Sequence, residues 1–195
     1  MTCSGCCGDG AGRAGGRLGL AGDPGGPSGY AGRFGGLTPT VELVLAAAAR
    51  RGGGATGVGI GVIIAANRTK HPLEARTLAR LAGQYAGRGV IGFGLSNDER
   101  RGAARDFAAA FRIADRAGLL LTPHGGSWPG RPACGPAWTT CTPTGSATAS
   151  PPPPTVSSSS AWRPAGITLE VCPTSNVALG VAARPGDVPL RTPAR

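Results

Sequence analysis

The chain has 195 residues, enough for one ordinary domain, and a net charge of +10 carried by 19 arginines and the single Lys70. Its 35 glycines and 18 prolines, about 27% of the residues, put it at the edge of the low-complexity range, and 5% aromatics exclude a core built on large rings. No apolar run reaches the roughly 18 residues of a membrane-spanning helix, and no basic stretch followed by an apolar one opens the chain, so neither a membrane segment nor a signal peptide is expected and the default is a cytoplasmic protein.

The charge is spread: residues 1–27 are neutral and residues 28–126 carry +7. Arginines placed along predicted helices read as solvated faces, and no basic patch is interleaved with aromatic rings, so a nucleic-acid partner is not expected. The six cysteines are Cys3, Cys6, Cys7, Cys134, Cys141 and Cys172. Cys3 and Cys6 form a CxxC, but no second ligand pair stands at matched spacing, so metal binding by the cysteines is not expected. Cys172 lies in an apolar run and reads as a small buried hydrophobe.

Residues 1–27 are glycine-rich and have no period of two or of 3.6, which predicts disorder. "LTPTVELVLAAAARRGGG" then predicts a helix over 41–51 with Thr40 as its N-cap and glycines as its stop. "TGVGIGVIIAAN" predicts a buried strand over 58–66. "HPLEARTLARLAGQYAGRG" predicts a helix over 72–86, opened by Pro72, capped by a surface His71, with Leu73, Leu78, Leu81 and Tyr85 on its apolar face. A short strand over 90–95 follows, then a helix over 102–116 with Phe107, Phe111 and Ala114 on one stripe, then a strand over 119–122. Strict alternation of strands and helices predicts a parallel α/β sheet or barrel. Residues 127–164, with "SPPPPTVSSSS", break the pattern and predict a second disordered stretch, since a structureless loop near 40 residues does not belong inside a compact domain. "AGITLEVCPTSN" restores order with a strand over 167–172.

Three motifs narrow the fold. "VIGFGLSNDE", "LTPHGG" and "ITLEVCPTSNVALGV" resemble the adenosine deaminase family of metal-dependent hydrolases, and "ANRTKHPLEARTLARLA" with "GFGLSNDERRG" resemble its actinobacterial aminodeoxyfutalosine deaminase-like branch. The resemblance covers about 28–126 and 165–192. It implies a (β/α)8 TIM barrel with its site at the C-terminal ends of the strands, here an incomplete one, because complete barrels usually need about 250 residues. The expected organisation is a barrel fragment over 28–126, holding the family's strands three to five, and a seventh-strand fragment over 165–195. Disordered segments over 1–27 and 127–164 flank the first fragment.

The resemblance also implies a chemistry. Zinc lowers the pKa of a bound water that replaces the amino group of a purine nucleoside, adenosine giving inosine, while a glutamate protonates the ring. The zinc ligands are an HxH pair, a fifth-strand histidine and an eighth-strand aspartate, and a sixth-strand histidine orients the water. Carried over residue by residue, His124 matches the fifth-strand ligand. Asn97 stands where many members have a glycine whose backbone N–H reaches the purine, and Ser127 stands at the position of the proton-donating glutamate. No HxH pair, sixth-strand histidine or C-terminal Asp-Asp pair is present, so one histidine is left for a zinc site that needs three protein ligands. Little of the catalytic apparatus is therefore expected.

Two explanations of the irregular segments stand: a natural Pro/Ser-rich insertion, which would not account for the loss of the glutamate and the histidine together, or family sequence read in the wrong frame. GC-rich codons for "GSWPGRPACGPAWTTCTPTGSATAS", read one base back, can spell ELAGPASVRACLDDLHADRIGHGV, which resembles family text and restores the glutamate and histidine. "TVSSSSAWRPA" and "LGLAGDPGGP" likewise recode to DRLVEQRLAA and GSGWLEIQVDP, the latter a plausible second barrel strand. Three readings follow: a deaminase-family product inactive as written, an active deaminase whose sequence carries errors, or a basic binding protein of another class. The substrate expected is adenosine, with aminodeoxyfutalosine of menaquinone biosynthesis as the alternative, because both present the same aminopurine.

Overall fold

The structure, a computed structural model, describes residues 15–19, 26–52, 59–125, 147–148, 169–170, 173–178, 180 and 182–187. Strand β1 (Gly15–Gly19) is followed by the short helix α1 (Gly26–Tyr30) and by α2 (Leu37–Gly52). Then come β2 (Gly59–Asn67), α3 (Pro72–Gln84), β3 (Val90–Ser96), α4 (Ala108–Arg116) and β4 (Leu120–Pro123). Two 3₁₀ turns, Glu99–Arg101 and Ala104–Phe107, join β3 to α4. A two-residue strand β5 (Ala147–Thr148), its partner β6 (Leu169–Glu170), helix α5 (Pro173–Ala178) and a 3₁₀ turn (Pro185–Asp187) complete the elements among the described residues.

Strands β1 to β4 form one sheet in chain order, every neighbouring pair parallel. A parallel strand pair needs a crossover, and crossovers of one hand that always step the same way put their helices on the same face. The order therefore has the singly wound sense of a barrel wall; a doubly wound sheet would reverse partway.

Alternation along the strands sorts the side chains. Ile64, Ala66, Phe93, Leu95 and Leu121 join Leu78, Leu81, Phe107, Phe111 and Ala114 of the helical layer in one buried cluster. At its centre the Phe93 and Phe111 rings meet edge-on, centroids 5.3 Å apart, the arrangement their quadrupoles favour. The opposite face is kept small. Ala65, Gly94 and Thr122 share a register row, and a Cβ built on Gly94 would lie 3.0 Å from Thr122 Oγ1 and 3.4 Å from Ala65 Cβ. Helix α2 is tied to α3 by the Tyr85 hydroxyl, which donates to Glu42 Oε1 at 2.8 Å, and Arg88 lies over the Tyr85 ring.

Several expectations need correction. Residues 1–27 are not uniformly without structure: Gly15–Gly19 is a strand paired to the free edge of β2, and α1 begins at Gly26. Strand pairing uses main-chain N–H and C=O groups, which a glycine-rich segment has without any side-chain period. β1 precedes β2 in the sheet and overlaps the recoded segment only at Leu18 and Gly19. Thr40 is no N-cap. Helix α2 starts at Leu37, Pro39 occupies its first turn where no N–H is needed, and the buried Thr40 hydroxyl donates back to Gly36 O at 2.7 Å.

Leu73 is 57% exposed, because five residues on α3 set it about 140° from Leu78. The helix expected over 102–116 opens as a 3₁₀ turn and becomes α-helical only at Ala108. Within 127–164 the pair Ala147–Thr148 is a strand, parallel to Leu169–Glu170 of the strand expected over 167–172. The rest of 127–164, and all six cysteines, lie outside the described residues. Among the described residues no helix is long and apolar enough to cross a membrane.

Phe111→Ala should cost about 3–5 kcal/mol, a large part of a small domain's stability, whereas Leu73→Ala should stay within about 0.5 kcal/mol. Urea unfolding followed by circular dichroism checks both, and equal losses would contradict the assignment of faces.

Candidate functional site

Parallel strands end together, so the residues after β2, β3 and β4 meet along one edge of the sheet. Asn67 and Ser96 pair in register there, and His124, one residue past β4, extends the ladder by donating its N–H to Leu95 O at 2.8 Å. Counting by twos from Thr122 puts His124 on the face that also carries Ala65 and Gly94, the inner face of a barrel wall.

Each strand end is tightened locally. The Asn67 carboxamide accepts from Thr69 N at 2.9 Å and Thr69 Oγ1 at 2.8 Å, turning the chain after β2. Ser96 Oγ donates to Ala66 O at 3.2 Å. Asn97 has φ +80°, and its own Oδ1 accepts from Asp98 N at 2.8 Å. Asparagine tolerates this left-handed conformation better than other side chains, so the position retains a backbone geometry that glycine adopts freely. Asp98 caps the following 3₁₀ turn by accepting from Arg100 N at 3.0 Å, and it pairs with the Arg100 guanidinium at 2.8 Å. Hydrogen bonds from the Arg100 side chain and backbone hold the Asp98 carboxyl at about 2, well below its usual range.

Two charged residues that sequence reasoning gave no site role are central here. Glu99 is 8% exposed and places Oε1 3.4 Å from His124 Nε2. Arg68 is 4% exposed; one guanidinium nitrogen donates to the His124 carbonyl and another to Gly102 O at 3.0 Å. Arg68 thus departs from the reading of the arginines as solvated. Burial pushes its guanidinium below the ordinary arginine value, and the Glu99 and Asp98 carboxylates oppose that shift. Burial likewise lowers the His124 pKa, Glu99 raises it and the Arg68 charge lowers it further. In a linear sequence little marks these charges as buried: Arg68 directly follows the apolar run of β2, and Glu99 stands three residues past the end of β3.

The other assigned residues divide. His71 caps α3 with Nδ1 accepting from Leu73 N at 3.2 Å, the structural role expected of it. Ser127 lies outside the described residues. Among the described residues no group of three His, Cys, Asp or Glu side chains could hold a metal ion. One imidazole facing one carboxylate does not fit the three-ligand set of a catalytic zinc.

Against this geometry stand the known proteins. The family model described as adenosine deaminase matches residues 26–195 in one span, across 127–164 as well. The chain belongs to the adenosine deaminase family. A protein of Streptomyces virginiae, whose name assigns it provisionally as an adenosine/adenine deaminase, is 53% identical over 172 residues, covering 85% of this chain and 49% of that protein. An aminodeoxyfutalosine deaminase of Acidothermus cellulolyticus is 35% identical over 136 residues, 64% of this chain and 37% of its own length. The chain spans about half the length, or less, of these curated relatives. Among solved structures, an adenine deaminase of Arthrobacter aurescens superposes with TM-score 0.61 at 22% identity over 84% of this chain and 50% of its own. The Arabidopsis protein ADAL in complex with GMP superposes with TM-score 0.64 at 16% identity, over 86% and 48%. At such identities these two show a shared fold, that of the family's barrel, of which β1 to β4 form one wall.

The depressed Asp98 carboxyl gives a pH signature. Its folded value near 2 lies below the unfolded value of about 3.9, so its stabilisation is complete above about pH 4 and is lost as pH falls towards about 2. The stability gap between wild type and Asp98→Asn should close across that window in urea titrations at stepped pH. A gap that stays constant would show that the charge contributes nothing.

Proposed function

We propose that this chain carries part of the site of a zinc-dependent aminopurine deaminase, the enzyme class that replaces the ring amino group of adenosine by oxygen from water and releases ammonia. The observation that carries the reading is the place of His124. It is the family's fifth-strand ligand position, and it stands past the end of β4 on the inner face, beside a buried carboxylate. Asn97, in the left-handed conformation just past β3, is the proposed backbone donor to the purine.

Adenosine or adenine is the proposed substrate, because the more similar of the two relatives is named for both, and the partner sought is a small purine compound. Aminodeoxyfutalosine is the second reading, supported by the Acidothermus relative and by "SNDERRG". Zinc is the proposed cofactor of the complete site. The sequence given has two histidines, and one of them, His71, caps a helix, so His124 is left as the single imidazole for the metal. Ser127 at the donor position has a hydroxyl far too weakly acidic for general-acid work near neutral pH. The chain as written is therefore proposed to lack turnover.

Ammonia release from adenosine, adenine and aminodeoxyfutalosine, with and without added zinc, should not exceed the blank for this chain. Ser127→Glu alone should not change that, whereas a chain with 127–164 in the shifted frame and the remaining ligand positions supplied should turn over one of the three. Robust turnover by the chain as written would overturn the proposed inactivity. Failure of the restored chain on all three would overturn the deaminase reading.

A further inference from the structure

Arg68 and Glu99 are buried charges outside the ligand and donor positions carried over from the family. A buried guanidinium is costly unless its donors are satisfied and its charge is balanced. Two of the Arg68 donors go to main-chain carbonyls rather than to a side chain: Gly102 O, in the segment between the two 3₁₀ turns, and the carbonyl of His124 itself. Glu99, one turn from Gly102, supplies the opposing charge and also faces the His124 imidazole at 3.4 Å. Arg68 follows β2 directly, and its own N–H donates to Ser96 O at 3.1 Å, which ties it to the end of β3. The fit is close from the other side too. A Cβ added at Gly102, whose backbone is extended, would run into the Arg68 carbonyl.

We propose that Arg68 is a positioning residue for His124. Its guanidinium fastens the ends of β2 and β4 and the segment after β3 to one another, and with Glu99 it fixes the direction of the His124 imidazole on the inner face. Planarity explains why arginine serves here: a rigid fork of donors can hold two carbonyls in fixed relation, which a lysine ammonium on a flexible stem cannot do as well. The link is through the His124 backbone on one side of the ring and through the Glu99 carboxylate on the other, so the imidazole is held at both ends. The catalytic meaning of this device rests on the proposed role of His124; the geometric claim does not.

The chain has two histidines, so imidazole NMR spectra of the full chain at one fixed pH contain two sets of signals, and His71 is an internal control. In Arg68→Met the His124 ring signals should move or split while those of His71 stay in place. The His124 amide, bonded to Leu95 O, should exchange with solvent roughly tenfold faster, the scale of one lost hydrogen bond. Arg68→Lys should recover part of both effects, and Glu99→Gln, of the same size, should shift the ring signals while leaving the amide protected. Gly102→Ala should reproduce the Arg68→Met pattern without touching the guanidinium.

A merely structural arginine would lower the unfolding midpoint and leave the His124 signals of the folded molecules as in wild type; that result would overturn the proposal. If Arg68→Met does not fold, Arg68→Lys and Glu99→Gln carry the same test, and unchanged His124 signals in both would equally overturn it. These spectra do not depend on turnover, so signals that shift as expected beside a restored chain that deaminates none of the three substrates would refute the functional reading and leave the positioning intact.

Discussion

The burial of one face of a parallel sheet under α3 and α4 is the constraint on which everything else depends. Phe93 and Leu95 of β3, Ile64 and Ala66 of β2 and Leu121 of β4 give that face its apolar surface, and Leu78, Phe107 and Phe111 cover it. Because side chains alternate along a strand, fixing the apolar set against the helices also fixes the other set. A slip of one residue in β3 would turn Phe93 away from Phe111 and bring it onto the row of Ala65, Gly94 and Thr122, where there is no room even for a Cβ without crowding. The helical core thus decides which side chains are available to the inner face.

The chemistry collects at one edge for the same reason. Parallel strands in register bring their last residues together, and each carries its chain into a loop on the same side of the sheet. Asn67, Ser96 and His124 come from positions up to 57 apart in sequence, and the loop after β3 adds Asn97, Asp98 and Glu99. The edge is polar and charged, while the middle of the sheet is apolar. That contrast is what a site needs: rigid support below and hydrogen-bonding groups above. The Arg68 guanidinium and the Glu99 carboxylate sit at the boundary between the two zones, where the opposing charge of each and two main-chain carbonyls accepting from the arginine offset their burial.

Belonging to the adenosine deaminase family gives this edge its interpretation, but membership and competence differ. The family match runs over 26–195, and the wall from β1 to β4 is formed. A catalytic metal needs ligands converging from several strands, and the described residues bring one histidine to the edge. Fold and site rest on different residues: the fold on the apolar helical layer, the site on a few polar groups with no share in that layer.

Much of this was legible in the sequence, for physical reasons that are local. The runs that became β2, β3 and β4 are apolar and bounded by turn residues, and Pro72 with His71 marks the start of α3; the stripe of Phe107, Phe111 and Ala114 is set by the helical period. The motifs around Asn97 and His124 carry the family in their own residues. Other features depend on partners distant in the chain. Gly15–Gly19 became a strand because the edge of β2 offered it main-chain partners, and its own side chains gave no notice of that. Thr40 lies inside its helix because Pro39 fits the first turn. Arg68 and Glu99, 31 positions apart, look in sequence like ordinary surface charges. Side-chain period and turn chemistry are encoded in neighbours, so the sequence by itself determined the alternating elements and the family. Burial and pairing are set by which segments meet, so only the tertiary structure decided that an arginine would be buried behind His124 and a carboxylate held in front of it.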